Sequence, residues 1–148
     1  MSSRLTFQRI LVPVDFSSAS KDALRHAAAF AGQCGGKITL VHVIESGRYV
    51  AGFTESETSM TEIPRRVEEQ LLALVNGSGA PELFEKVEVR AGRPFHEIGL
   101  AARELGSDLI VMASLGRSSA MDVLLGSTAE RVVRYAPCPV LVIRKPAA

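Results

Sequence analysis

Residues 9–45 read RILVPVDFSSASKDALRHAAAFAGQCGGKITLVHVIE, and this stretch decides the fold. Arg9 to Asp15 is a short apolar run, rich in β-branched residues and ending on an acid, as a buried strand would. Ser17 and Ser18 follow as candidate N-caps, and Ala19, Ala23, Ala27, Phe30 and Ala31 recur on one face at helical spacing. Gly32, Gly35 and Gly36 end that helix. Lys37 to Glu45 reads as a second strand; Leu40, Val41, Val43 and Ile44 are nearly continuous, which suits burial on both faces.

The alternation continues downstream. Ser46 to Thr61 is polar and aperiodic, and is expected to be a long mobile loop serving as a lid or partner surface. Ile63, Val67, Leu71 and Leu74 then repeat at helical spacing up to Asn76-Gly77, a C-cap signal. Phe84 to Arg90 sets Val87 and Val89 among charged neighbours, the pattern of an edge strand. Pro94 suits the first turn of a helix carrying Phe95, Ile98, Ala101, Ala102 and Leu105 and closed by Gly106. Asp108 to Ala113 is another buried strand, and Ser114 to Leu125 a connection containing Gly and Ser. Gly126-Ser127 opens the last helix, with Ala129, Val132, Val133 and Ala136 facing inward; Pro137 stops it, and Pro139 to Arg144 is the final strand. The expected fold is α/β: one domain over residues 1–148, with an open, doubly wound, mostly parallel sheet of five strands in the order 3-2-1-4-5 and helices on both faces. A ligand crevice belongs where the winding reverses, at the carboxyl ends of strands 1 and 4, which are Asp15 and Met112-Ala113.

Composition narrows the function. Of 148 residues, 47% are apolar and 22% charged, so a single core can form without disulfides or metal. Seventeen basic residues balance 16 acidic ones for a net charge of +1, which argues against nucleic acid or an anionic membrane as the main partner. With no Trp and two Tyr, aromatic base-stacking platforms are not expected. No apolar run approaches the roughly 18 residues that span a bilayer. Arg4, Thr6, Gln8 and Arg9 interrupt any apolar signal core before the first strand. Cys34 and Cys138 lack CxxC spacing, and a reduced, cytoplasmic setting is expected.

Several chemistries are excluded by motif. There is no GxxxxGK[ST], and no GxGxxG follows the first strand. Ser114 sits where a hydrolase nucleophile would, but Met112 replaces the first Gly of GxSxG and no His follows. His26, His42 and His96 are scattered, which is poor metal-ligand spacing; His42 reads as a hydrogen-bonded core or crevice residue. His96-Glu97 lacks the second His of a zinc-protease motif. No catalytic residue and no metal site emerges.

The informative segment is LIVMASLGRSSAMDVLLGSTAERVV, residues 109–133, where nine residues separate Gly116 from Gly126-Ser127 at a helix start. The unpaired N–H groups of that first turn form an anion site: Gly126 admits a phosphate to the backbone, and Ser127 and Thr128 can donate hydroxyls. These residues equally suit a plain role, with Ser127 capping the helix and Gly126 turning the chain. Asp15 fits two roles as well, ligand contact at the crevice or capping of the following helix with Ser17 and Ser18.

ILVPVDFS near the N-terminus, paired with MASLG…LLGSTAERVVRYAPCPVLVIR, resembles the universal stress protein family from about Arg9 to Arg144. The resemblance implies an open α/β domain, usually homodimeric, in a family with ATP-binding and non-ATP-binding groups. The first group carries G-x-x-G, nine residues, then G-[ST]; here Ala113 replaces the first Gly, and Ser118-Ser119 stand where glycines are common. The resemblance places Pro13, Val14, Asp15 and Val43 around adenine and ribose. It sets Met112, Ala113, Gly116, Gly126, Ser127 and Thr128 along the base edge, ribose and phosphates, with Arg117 either solvated or reaching a phosphate. It implies ATP, accompanied by Mg²⁺, as the ligand of a cytoplasmic stress-response module. The alternative is a dimeric interaction module of the same fold without nucleotide. An enzyme, at most a slow ATPase, is the third reading. The apolar run Val140 to Ile143 on an expected sheet edge points to a homodimer through Pro139–Arg144.

Overall fold

The computed structural model describes residues 6–45, 62–115 and 125–144. The expected loop at Ser46–Thr61 therefore lies outside the described residues, as do Gly116 and Arg117. Among the described residues, the helices and strands follow one another as β1 (Arg9–Pro13), α1 (Ser18–Cys34), β2 (Lys37–Ile44), α2 (Glu62–Asn76), β3 (Phe84–Ala91), α3 (Pro94–Glu104), β4 (Leu109–Ala113), α4 (Ser127–Tyr135) and β5 (Val140–Ile143). The strands form one sheet in the order β3-β2-β1-β4-β5, and every neighbouring pair is parallel. This is the expected architecture.

The period of two along each strand sorts side chains onto two cores. Ile10 and Val12 of β1, Ile38 and Leu40 of β2, and Leu109 and Val111 of β4 face Leu24, Ala27 and Ala31 of α1 and Val67 and Leu71 of α2. Leu11, Val41, Ile110 and Met112 face the other way, toward Ile98, Ala101 and Ala102 of α3 and Ala129 and Val132 of α4. Ile10, Leu11, Leu40 and Ile110 are at most 1% exposed, so each contributes roughly 1.5–3 kcal/mol of burial. The central strands have no solvent face, which explains why they read as continuous apolar runs.

Helix ends follow local chemistry. Ser17 caps α1, its Oγ accepting from the Ser20 amide at 3.2 Å. Gly35 ends α1 in the left-handed region at φ 73°, and the amides of Gly35 and Gly36 both reach the Ala31 carbonyl. Gly32, which the sequence groups with these breakers, lies inside α1. Helix α2 stops at Asn76 as expected, but the left-handed residue falls at Gly79, and a single 3-10 turn at Pro81–Leu83 was not anticipated. Strand β1 ends at Pro13, two residues earlier than its apolar pattern suggests, because the chain turns at Phe16, whose φ is 64°.

Two glycines separate backbone constraint from convenience. A Cβ on Gly36 would lie 2.3 Å from the Phe7 carbonyl oxygen, whereas one on Gly32 would meet nothing within 4 Å. Gly36→Ala is expected to lower unfolding free energy by roughly 1–3 kcal/mol. Gly32→Ala should raise it by up to about 1 kcal/mol, both read from urea denaturation midpoints.

Candidate functional site

The carboxyl ends of β1, β2 and β4 meet at one rim of the sheet, where β1 connects to strands on both sides and the winding reverses. Met112 and Ala113 end β4 at 6% and 8% exposure, and Ser114 behind them is buried. The Ser114 amide donates to the Ile143 carbonyl at 2.9 Å, and its own carbonyl accepts the Gly126 amide at 2.6 Å. These two bonds bring the start of α4 against the end of β4 across the intervening segment.

Gly126 is the N-cap of α4, with no side-chain cap, and Ser127 is the first helical residue. The plain role for Ser127 as the cap is thereby corrected: it sits one position too late, and the residue that does cap has no side chain. Glu130 already bonds the Gly126 carbonyl, which leaves the first-turn amides of Ser127, Thr128 and Ala129 without an acceptor in their own helix. This is the geometry of an anion site.

The β1 end is built differently. Asp15 Oδ1 accepts from both the Ser17 amide at 3.0 Å and the Ser17 hydroxyl at 2.5 Å. Of its two candidate roles, the capping one is met indirectly: Asp15 orients Ser17, and Ser17 caps α1. His42 Nδ1 donates to the Val14 carbonyl at 2.7 Å, which assigns the ring tautomer, and the ring lies 4.9 Å from that of Phe16. The Val14 amide reaches the Val41 carbonyl at 2.9 Å. Phe16, a non-glycine residue at positive φ, is held in place by this frame. Pro13 and Asp15 are half-buried at the rim; Val14 is buried, and Val43 packs from β2 against the α3–α4 core.

A cleft of about 470 Å³ opens between the end of β2 and the starts of α3 and α4. Ser127, Thr128 and Arg131 line it from α4, Arg93 and Phe95 from the start of α3, and Glu45 from beyond β2. The Arg131 guanidinium lies 5.0 Å from the centroid of the Phe95 ring, a cation–π contact. Helix α3 is tied to β3 at both ends by Arg90, which meets Glu97 of the helix's first turn at 3.5 Å and the helix's last residue, Glu104, at 2.5 Å, and which also pairs with Glu88 of its own strand at 3.0 Å. Burial opposes the Arg90 charge, but the hydrogen bond and charge of Glu104, with Glu88, outweigh it and raise the guanidinium pKa. Cys138 is pushed up by burial and by Asp108, so its thiol is not an activated nucleophile.

A family model described as the universal stress protein family matches residues 6–144. The chain belongs to the universal stress protein family. A universal stress protein of Methanocaldococcus jannaschii is 32% identical over 143 residues, covering 95% of this chain and 84% of that one. The solved universal stress protein UspA from Lactobacillus plantarum is 28% identical, covers 95% of this chain and all of its own, and superposes with a TM-score of 0.73. The universal stress protein from Archaeoglobus fulgidus in complex with dAMP shares the fold at 24% identity and a TM-score of 0.64, with 94% and 99% of the chains covered.

Within this universal stress protein, Pro13, Val14, Asp15, Val43, Met112, Ala113, Gly126, Ser127 and Thr128 all fall at or beside the carboxyl rim. Ala113 is not among the residues at positive φ, so the departure from Gly adds a methyl without backbone strain. Arg93 and Arg131 carry no motif in the sequence, and Phe95, expected on the apolar face of α3, also lines the cleft. Arg131 stands four residues after Ser127 and so shares its helix face, a signal that was there to read. Arg93 and Phe95 come from a remote crossover that no local spacing reveals.

The Asp15–Ser17 turn makes a separable claim about stability. Ser17→Ala removes the cap of α1 and is expected to cost about 1 kcal/mol, measured as a lowered denaturation midpoint at unchanged slope.

Proposed function

We propose that this protein is a cytoplasmic stress-response module that binds ATP or a related adenine nucleotide at the carboxyl rim of its sheet. The observation that carries the reading is the uncapped start of α4, held against β4 by the bond from Gly126 to Ser114. On this reading the first-turn amides and the hydroxyls of Ser127 and Thr128 take the phosphates. Pro13, Val14, Asp15 and Val43 border the base and ribose, and Met112 and Ala113 form the opposite wall. Gly116 and Arg117, which lie outside the described residues, also serve the phosphates on this reading, and Mg²⁺ accompanies them. The dAMP complex of the Archaeoglobus fulgidus relative supports an adenine nucleotide as the ligand class. A second reading, the same fold without nucleotide, is favoured by the Ala113 methyl at the position where the nucleotide-binding pattern has Gly.

Calorimetric titration with ATP, with and without Mg²⁺, decides between them. Ala113→Gly is expected to tighten binding by about two- to fivefold, a change worth up to about 1 kcal/mol. Gly126→Asp should abolish binding by setting a carboxylate among the phosphates. Wild-type protein that binds no adenine nucleotide, and carries no excess absorbance near 260 nm after purification, would establish the second reading.

Both readings use a homodimer through Pro139–Arg144. Support comes from β5, which pairs with β4 on one side and, among the described residues, with no strand on the other. Leu141 on this edge is 38% exposed, and Val140, Val142 and Ile143 are half-buried. Two copies related by a two-fold axis would satisfy both edges with one patch. Val142→Pro removes a strand amide and should convert the dimer to a folded monomer in sedimentation velocity. A variant that stays dimeric places the contact elsewhere.

A further inference from the structure

Among the described residues, the cleft between the starts of α3 and α4 is lined by two guanidinium groups and one carboxylate. Arg93 and Arg131 both line it, against the single carboxylate of Glu45 among the lining residues. Neither guanidinium pairs with a carboxylate among the described residues, whereas Arg90 and Arg134 are each neutralised by glutamates. Arg131 is also held in position: its guanidinium lies over the Phe95 ring, which orients the planar donor fork without consuming its charge. Arg93 is the N-cap of α3 and Arg131 belongs to α4, two helices on one face of the sheet, and α3 is fixed to β3 by the Arg90 cluster, so the cleft has a rigid frame.

We propose that this cleft is a polyphosphate subsite in which Arg93 and Arg131 set the preference of the protein for nucleotides with more than one phosphate. The proposal rests on the nucleotide reading above and deepens it. Ser127 and Thr128 belong to both the first turn of α4 and the cleft wall, so a phosphate chain starting there continues toward the two arginines. Each further phosphate adds negative charge and acceptor oxygens that match guanidinium forks. A monophosphate ends at the helix and leaves the arginines to solvent. Arg93 and Arg131 are thus specificity-determining for phosphate number, and the adenine end of the site is indifferent to them.

The test is calorimetric titration of ATP, ADP and AMP into wild type, Arg93→Gln, Arg131→Met and the double variant. Both positions are exposed, and Met keeps an unbranched stem against Phe95, so the fold is retained and thermal melting verifies it. ATP affinity is expected to fall about tenfold or more in the double variant, while AMP affinity stays within about twofold. An ATP-over-AMP preference that survives both substitutions, or ATP and AMP weakened by one common factor, would overturn the proposal. If wild type binds no adenine nucleotide, the nucleotide reading fails by itself, and inorganic tripolyphosphate then decides the subsite. Tripolyphosphate bound by wild type and lost in the double variant supports it; no binding, or equal binding, refutes it.

Discussion

The hydrogen bond from the Gly126 amide to the Ser114 carbonyl governs the carboxyl rim of this domain. Ser114 is buried and already tied through its own amide to Ile143 of β5, so its carbonyl is a fixed point of the sheet. Attaching α4 to that point determines where the helix begins, which way its first-turn amides face and which side chains they meet. The consequence reaches both layers of the site. The first turn starts beside the end of β4, and the residue four positions after Ser127, Arg131, is carried over Phe95 of α3. A longer or looser link would leave the same residues on the chain without a common direction.

The opposite wall depends on a second, costlier arrangement. Phe16 takes positive φ, which a bulky side chain adopts at a cost of order 1 kcal/mol, and the surrounding bonds hold it there. His42 ties the Val14 carbonyl from β2, and Asp15 holds both polar groups of Ser17. The outcome is a sharp exit from β1 that lets α1 start within five residues of the strand end. Asp15 therefore serves the fold whatever it also does at the rim. Loss of its carboxylate would disturb α1 through Ser17, so stability must be measured beside any change in affinity at this position.

The architecture was legible because its determinants are local and periodic. Central strands buried on two faces must be apolar throughout, helices must show one apolar stripe, and the alternation of the two permits few topologies. The strand order and the two layers of the core follow from that pattern. What escaped was set by single residues acting through tertiary contacts. The left-handed turn falls at Phe16, which no propensity favours, and Gly79 rather than Gly77 reverses the chain after α2. The site divides in the same way. The helix start at the rim announces itself in Gly126-Ser127, while Arg93 and Phe95 reach the cleft through a crossover whose packing is invisible in spacing.

Ala113 belongs to two structures at once, and the demands differ. As the last residue of β4 it pairs with Ile143 and is nearly enclosed, and a strand residue with a Cβ loses less backbone entropy on folding than glycine does. As part of the crevice wall it would serve a ligand best with no side chain at all. Since its backbone lies outside the left-handed region, nothing in the chain's own geometry requires glycine there. A demand for Gly at this position could come only from an occupant of the crevice, not from the fold. The β4 end thus gains modestly in strand stability from a residue whose methyl lines the crevice wall.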